Sequence, residues 1–286
     1  MTDFTPPTFL SPVADASRRY QGLTYALRPG YRPRLLDLTV PEADGPVPLV
    51  VWIHGGAWLE GDRRYTPPTI PAELLFGSLL EAGLAVATID YRHSQEARFP
   101  AQHHDVVAAI RYLRTFAGEL GLDAARFGVM GESAGGHLAA LAALAGPELA
   151  GVEGVGEGDH SVQAVVDWYG VADMITVQEH PLEMPPGWPD PYESLFRGDD
   201  ELAGQASPIN HITADAPPFL LVHGTVDQVV PYSQSVAFDK ALREQGVDVT
   251  LSTIEDANHI FLGVADVQPI VAESVAFLAR HLTGRP

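Results

Sequence analysis

Apolar runs and helical patterns alternate along most of the chain. Short apolar runs such as PLVVWI and FLLV show no apolar–polar alternation, so they predict strands buried on both faces. Between the runs, apolar residues recur at helical spacing, as at Val106, Val107, Ile110 and Leu113. Strands that alternate with helices predict an α/β protein, with a mainly parallel central sheet and helices on both of its faces.

The ends of these patterns set the predicted elements. Pro100 stands just before a helical pattern, and Gly146 with Pro147 stops another. The predicted strands cover residues 35–40, 49–53, 84–89, 126–130, 162–167, 219–223 and 247–254. The predicted helices cover residues 70–82, 101–120, 134–144, 233–245 and 269–282.

Two segments depart from this alternation. Residues 1–45, rich in proline, arginine and turn residues, predict a strap over the body followed by a first strand. Residues 174–212 are dense in proline and aromatic residues, and they predict a lid-like insertion over the active-site side of the sheet. No repeat and no obvious linker divides the chain, so we expect one domain over residues 1–286.

Composition excludes several classes of partner and chemistry. The chain has 37 acidic and 17 basic residues and a net charge of -20, which disfavours nucleic acid and anionic membranes as partners. It has no cysteine, which excludes disulfides, thiol catalysis and cysteine-ligated zinc. The N-terminus lacks a signal-peptide pattern and no apolar run reaches transmembrane length. We therefore expect a cytoplasmic protein, or a secreted mature form whose signal was removed.

A serine motif carries the first sign of chemistry. Ser133 lies in GESAGG, a Gly-x-Ser-x-Gly motif between the strand predicted over 126–130 and the helix predicted over 134–144. A serine on such a sharp strand-to-helix turn is exposed as a nucleophile, and the helix points its positive end at the site. The alternative is a turn with a structural role only.

A second motif follows the strand that ends at Ile53. The sequence HGGAW begins at His54, and glycines after a strand let backbone N–H groups turn toward a ligand. We expect the N–H groups of Gly56 and Ala57, together with that of Ala134, to form an oxyanion hole. His54 is expected to order this loop. The alternative is a simple tight turn.

A serine nucleophile needs a base and an acid that orients the base. Of the eleven histidines, His259 is best placed, because it follows the last predicted strand and lies C-terminal to Ser133. Asp227 follows the strand predicted over 219–223 and is the predicted acid. Asp215 and Asp256 compete with it, since both also lie between the serine and the histidine.

These residues predict nucleophilic catalysis without a metal or an organic cofactor. The run HHD at residues 103–105 has residue types that bind metals, but adjacent positions on a helix point apart, so we expect no metal site. Several aromatic side chains are candidates for the substrate pocket, with core packing as the alternative for each. They are Trp58, Trp168, Tyr169, Trp188, Tyr192 and Phe196, with Trp58, Trp168, Tyr169 and Trp188 as the predicted pocket residues.

Together the motifs resemble a known family. HGGAW, DYRHSQEARFPAQ, GESAGGHLAA, VDWYGVADM, SPINHI and HGTVDQVVPYSQS resemble the hormone-sensitive-lipase-like branch of α/β-hydrolases, within it most closely the bacterial feruloyl and acetyl xylan esterases. The resemblance runs from about Leu49 to the C-terminus. It implies a serine carboxylesterase with the triad named above. Ala57 departs from the pattern where many members have a third glycine, and so do His93 and Gln95, where an apolar residue and a proline are common.

The substrate predicted from this resemblance is a small-molecule or polymer-borne ester with a short or plant-derived acyl group, of acetyl or feruloyl type. An amidase of the same fold, similar to kynurenine formamidase, is an alternative that shares the HGG loop. A second alternative is a ligand-binding protein that kept the fold and lost catalysis.

Overall fold

The computed structural model describes residues 17–180 and 186–284, which form an eight-stranded sheet with helices against both of its faces. The strands are β1 (Ser17–Ala26), β2 (Arg34–Pro41), β3 (Val47–Ile53), β4 (Ala85–Ile89), β5 (Leu122–Glu132), β6 (Ala164–Trp168), β7 (Phe219–Gly224) and β8 (Val249–Ile254). The α-helices are α1 (Ala72–Glu81), α2 (Ala101–Thr115), α3 (Ala117–Leu120), α4 (Ala134–Leu144), α5 (Pro191–Phe196), α6 (Asp200–Gln205), α7 (Ser233–Glu244) and α8 (Gln268–Thr283).

The strands lie in the order β1-β2-β4-β3-β5-β6-β7-β8. β2 pairs antiparallel with both of its neighbours, and the six strands from β4 to β8 in this order pair in parallel. All seven residues of β3 are buried, with Val51 and Ile53 facing one hydrophobic cluster and Val50 and Trp52 facing the other. Helices α2, α4 and α7 cover the first face and α1 and α8 the second, which confirms the predicted α/β-hydrolase fold class.

Parallel strands bring their carboxyl ends to one edge of the sheet. The segments after β3, β5, β6, β7 and β8 therefore meet there, although they are far apart in the chain. Four of them carry the two motifs and the other two members of the predicted triad.

The N-terminal prediction was incomplete. Residues 17–26, predicted as part of a strap, form the edge strand β1, while residues 1–16 lie outside the described part of the chain. Among the described residues, β1 pairs only with β2, and its register shifts between Tyr20 and Leu23. An edge strand with a bulge lacks the regular alternation that identifies a strand in sequence, which explains why it was missed.

The other differences are smaller. The helix predicted over 101–120 is two helices, α2 and α3, that meet at Phe116. The insertion, defined here as residues 174–212, contains α5, α6 and the 3-10 turns Thr176–Glu179 and Pro208–His211, and its residues 181–185 lie outside the described part. Within the described ranges, no helix has the length and apolarity needed to cross a bilayer.

Candidate active site

Ser133 lies at the junction between β5 and α4, as predicted. Its backbone is left-handed, with φ 53° and ψ -119°, and its N–H donates to the Trp168 carbonyl oxygen at 2.8 Å. A left-handed serine is strained, and such strain persists where the surrounding structure holds it. Gly135 allows the turn to sit against β3, because a Cβ at this position would lie 2.0 Å from the Ile53 oxygen. The Ser133 hydroxyl thus stands at the start of a buried helix.

The predicted base and acid are in hydrogen-bond contact with each other and with the serine. Nε2 of His259 lies 3.2 Å from Oγ of Ser133, and Nδ1 lies 2.8 Å from Oδ2 of Asp227. Because a carboxylate only accepts, Nδ1 carries the proton and Nε2 is free to accept from the hydroxyl. The three side chains therefore form a relay that can remove the serine proton.

Asp227 is held in place by its own loop. Its Oδ1 accepts the N–H groups of Val229 and Val230 at 2.8 and 2.9 Å. Burial opposes ionisation of this carboxyl, but hydrogen bonds from His223 and His259 outweigh burial and hold the pKa of Asp227 well below its ordinary range. The acid is therefore charged at neutral pH.

The two competing acids lie elsewhere. Asp215 is exposed and precedes β7, so it belongs to the opposite end of that strand. Asp256 is exposed in the loop after β8, and its backbone N–H donates to Thr225 Oγ1. Neither side chain has a hydrogen bond to His259 in the described part of the chain.

Two residues that contact the relay were not singled out as functional in the sequence. His223, fully buried at the end of β7, places Nε2 3.3 Å from Asp227 Oδ2 and Nδ1 2.7 Å from Ser235 Oγ. Asn258 accepts the N–H groups of Gln228 and His259 through its Oδ1, at 2.9 and 2.7 Å, and so joins the acid loop to the base loop. The only sequence signal for either is its nearness to a triad member.

The HGGAW loop adopts three consecutive left-handed residues, with φ of 100° at Gly56, 53° at Ala57 and 57° at Trp58. The N–H groups of Gly56, Ala57 and Ala134 donate no hydrogen bond to another described residue. Gly56 and Ala57 line the same pocket as Ser133. Unbonded N–H groups beside a nucleophile are available to an anionic oxygen.

Contacts on both sides fix this loop. The Trp58 indole N–H donates to Nδ1 of His137 at 3.2 Å, and the other ring nitrogen of His137 donates to the Ala206 oxygen at 2.7 Å. His137 lies on α4 and Ala206 in the insertion, so one buried side chain connects three segments. Burial lowers the pKa of His137 to about 4, which keeps the ring neutral and able to accept from Trp58.

His54 supports the loop from below, in the place expected for it. Its ring stacks on Tyr91 at 4.3 Å between centroids, and its Nδ1 donates to the Gly55 oxygen at 2.7 Å. The Tyr91 hydroxyl donates to the His54 oxygen at 3.0 Å. The ring is fully buried, and the described hydrogen bond to Ser133 comes from His259 instead, so the position of His54 is that of a supporting residue.

A pocket of about 290 Å³ opens beside Ser133. One part of its wall is polar, with two carboxyl groups and a phenol, and another part is apolar. The lining residues are Gly56, Ala57, Glu60, Tyr65, Glu132, Ser133, Trp188, Val229, His259 and Ile260. None of these residues is lysine or arginine, so apart from the His259 imidazole the wall offers no side-chain cation for an anionic group.

The predicted pocket aromatics have different positions. Trp188 is 42% exposed and lines the pocket. The prediction that Trp168 lines the pocket is wrong, because this residue is fully buried on the sheet face. Its indole N–H donates there to Ser274 Oγ at 2.9 Å. Trp58 is buried as the anchor of the loop, and Tyr169 packs edge-on against the His259 ring at 4.8 Å.

The side chains of the HHD run at residues 103–105 have structural contacts. Asp105 pairs with the Arg92 guanidinium at 2.8 Å, and His103 is fully buried on α2. Over residues 17–180 and 186–284, no group of three or more histidine and acidic side chains converges as a metal site would require.

Comparison with known proteins identifies the family of this chain and several relatives. The BD-FAE family model matches residues 36–242. Esterase LipQ of Mycobacterium tuberculosis is 34% identical over 276 residues, covering 94% of this chain and 64% of LipQ. The chain spans between about half and two thirds of the length of LipQ and of two further mycobacterial relatives that it matches.

Solved structures of esterases share the fold. A truncated carbohydrate esterase from gut microbiota superposes with a TM-score of 0.79 at 29% identity, covering 95% of this chain and 99% of that one. A bacterial heroin esterase superposes with a TM-score of 0.73 at 25% identity, covering 94% of this chain and 85% of that one. These neighbours confirm the resemblance to α/β-hydrolase esterases.

Proposed function

Because this chain belongs to the BD-FAE family, we propose that it is a carboxylic ester hydrolase that works through Ser133, His259 and Asp227. The observation that carries the proposal is the relay from Asp227 through His259 to Ser133, at 2.8 and 3.2 Å, beside unbonded backbone N–H groups. The esterase names of the relatives support the reaction class.

The mechanism follows from the hydrogen bonds. Nε2 of His259 removes the Ser133 proton as Oγ attacks the ester carbonyl, and Asp227 stabilises the imidazolium that forms. The negative oxygen of the tetrahedral intermediate accepts from the N–H groups of Gly56, Ala57 and Ala134. The imidazolium then protonates the leaving alcohol, and a water molecule repeats the attack on the acyl-enzyme to release the acid.

The proposed substrate is a short-chain or plant-derived acyl ester, of acetyl or feruloyl type. A pocket of about 290 Å³ suits a small group better than a long acyl chain. Its acceptors Glu60 and Tyr65 suit an alcohol that donates hydrogen bonds, such as a sugar ring, and Trp188 offers an aromatic face to pack against. The acidic wall disfavours substrates that carry a carboxylate near the ester.

Hydrolysis of p-nitrophenyl esters from acetate to palmitate, by the wild type and by Ser133→Ala, tests the reaction and the acyl length. We expect the rate to fall steeply beyond about butyrate to hexanoate. The variant should lose about 10⁴-fold or more of kcat/KM, because it lacks the nucleophile. Methyl ferulate and acetylated xylan are then compared as plant-derived substrates.

Each outcome distinguishes the alternatives. A folded wild type that cleaves none of the esters but cleaves N-formylkynurenine would replace the esterase by an amidase. A folded protein inactive on both would have lost catalysis. Activity that survives in Ser133→Ala would show that another nucleophile acts.

A further inference from the structure

Glu132 precedes Ser133, yet its side chain serves a different segment. It is the last residue of β5 and is 1% exposed. Its Oε1 accepts the N–H of Gly55 at 2.7 Å, although the two residues are 77 positions apart in the chain. Gly55 comes directly before Gly56 and Ala57, whose N–H groups are the proposed oxyanion donors. One carboxylate thus connects the nucleophile turn to the oxyanion loop.

The contact is too close for a side chain at position 55. A Cβ on Gly55 would lie 2.0 Å from Glu132 Oε1, so the loop backbone rests directly on the carboxylate. Further along, the loop turns left-handed at Gly56, Ala57 and Trp58. Such turns are strained for residues other than glycine and need support at both ends. Trp58 is anchored through its indole N–H, and Glu132 is the anchor at the other end.

The carboxyl group has no cation as a direct partner in the described part of the chain. Burial raises the pKa of Glu132 to about 7, and the nearby His259 side chain lowers it in part. The other titratable groups around it are the phenols of Tyr65, Tyr91 and Tyr169. Burying an acid without a cation is costly, so a hydrophobic residue would serve the fold better. The cost is explained if the carboxylate has a task at the reacting centre.

We propose that Glu132 is a positioning residue for catalysis. By accepting the Gly55 N–H, it fixes the position of the oxyanion loop relative to Ser133. The inference rests on the proposed function, since it concerns the donors that stabilise the tetrahedral intermediate. A misplaced loop weakens hydrogen bonds that are strongest in the transition state, so the effect falls on kcat more than on KM.

Three variants of Glu132 show whether the length of its side chain or its charge matters for catalysis. Glu132→Gln keeps the length and an acceptor oxygen, Glu132→Asp keeps the charge but is one methylene too short for Gly55, and Glu132→Ala loses both. We expect Glu132→Ala and Glu132→Asp to lower kcat on p-nitrophenyl acetate about 30- to 100-fold, while KM changes less than about threefold. Gln should stay within about fivefold of the wild type.

Binding of a small alkyl boronic acid gives a second readout. Boron forms a tetrahedral adduct with the serine and places an oxygen in the oxyanion hole, so its affinity reports the position of the loop. We expect Ala and Asp to weaken this affinity by about the same factor as kcat, and Gln to retain it. Asp167→Asn is the matched control: Asp167 is a buried acid on the neighbouring strand β6 that accepts the Gly170 N–H and does not touch the loop.

The results separate this inference from the proposed function. Loss of activity in Ser133→Ala and retention in the wild type establish the function independently of Glu132. If Glu132→Asp then keeps its kcat and its boronic acid affinity, or if Glu132→Gln loses as much as Glu132→Asp, the positioning role is wrong. Because Gln and Asp both retain a polar group at this site, their comparison stands even if Glu132→Ala does not fold. Thermal unfolding of each variant shows whether it is folded.

Discussion

The sheet edge and the insertion both border the pocket, but they are held by different means. At the sheet edge, loops after parallel strands are fixed by hydrogen bonds between one loop and the next, as Asn258 fixes Gln228 and His259. The described part of the insertion contains 3-10 turns and two six-residue helices, whose first turns are capped by Asp190 and Asp199. Helices this short are not stable alone and depend on their packing.

This difference assigns separate tasks to the two regions. Reacting atoms need positions fixed within tenths of an ångström, which a network anchored to strands provides. The insertion packs its apolar residues into the core beside the sheet, but it does not hold the reacting side chains, so it can vary in sequence with less effect on their positions. We therefore expect substitutions at the sheet edge to change turnover, and substitutions in the insertion to change substrate binding.

The largest effect is expected at Asp227. Asp227→Asn keeps the shape of the side chain but removes the charge that holds the Nδ1 proton of His259, so the imidazole can adopt the wrong tautomer. We expect kcat/KM on p-nitrophenyl acetate to fall about 10³- to 10⁴-fold with little change in KM. Asp215→Asn and Asp256→Asn are matched controls and should stay within about twofold. A large loss in either control, with Asp227→Asn active, would move the acid to that position.

An intermediate effect is expected at His137, which joins the two regions. His137→Leu removes the hydrogen bonds to Trp58 and Ala206, and we expect kcat to fall about tenfold through a less ordered oxyanion loop. His137→Gln can accept from one partner and donate to the other, so it should recover most of this loss. Steady-state kinetics of both variants make the test. Equal losses in Leu and Gln would show that the ring, rather than its hydrogen bonds, is needed.

A smaller effect, on binding, is expected at Trp188 in the insertion. Trp188→Ala removes an aromatic wall of the pocket, and we expect KM for aryl esters to rise about three- to tenfold with kcat unchanged. Leu27→Ala, a change at another exposed apolar residue outside the pocket lining, is the control. A drop in kcat without a change in KM would contradict the division of tasks between the two regions.

The smallest effect on turnover is expected at Asp167, where the change appears in stability instead. Burial raises the pKa of Asp167 to about 7 from an ordinary value of 3.8, and the Gly170 N–H offsets this in part. A raised carboxyl pKa means that the folded state binds the proton more tightly, so folding loses stability as the pH rises from about 4 to 7.

Asp167→Asn removes this pH-dependent cost. We expect the variant to be more stable than the wild type by about 2–4 kcal/mol at pH 8, with the difference shrinking toward zero near pH 4. Urea unfolding of both proteins across this range measures it. A difference that is the same at pH 8 and pH 4.5 would show that Asp167 is not a buried acid of this kind.

Much of the site was predictable because its signals are local. GESAGG predicted the turn at Ser133 and the helix over 134–144, and the helix has those bounds. HGGAW predicted a loop with backbone N–H groups free after β3, and the N–H groups of Gly56 and Ala57 donate to no described residue. Both predictions depend on short runs whose glycines and strand context leave few conformations.

Residues that act through distant contacts were not predictable in the same way. The sequence placed Trp168 and Trp188 in one group of pocket candidates, yet Trp168 is fully buried and Trp188 is 42% exposed. The distinction depends on which face of β6 a residue occupies and on how the insertion crosses the pocket. Neither follows from residue type.

The amino-acid sequence determined the alternation of strands and helices, and with it the edge at which the motifs gather. It also indicated the serine and the histidine of the relay, because Ser133 lies in its motif and His259 follows it in the chain, as the order of the triad requires. Tertiary structure chose Asp227 over Asp215 and Asp256, and it brought Glu132 to Gly55. The physical reason is the distance along the chain between the residues that interact. Turns and helices depend on neighbouring residues, whereas these contacts join residues far apart in the chain that come together only through the strand order of the sheet.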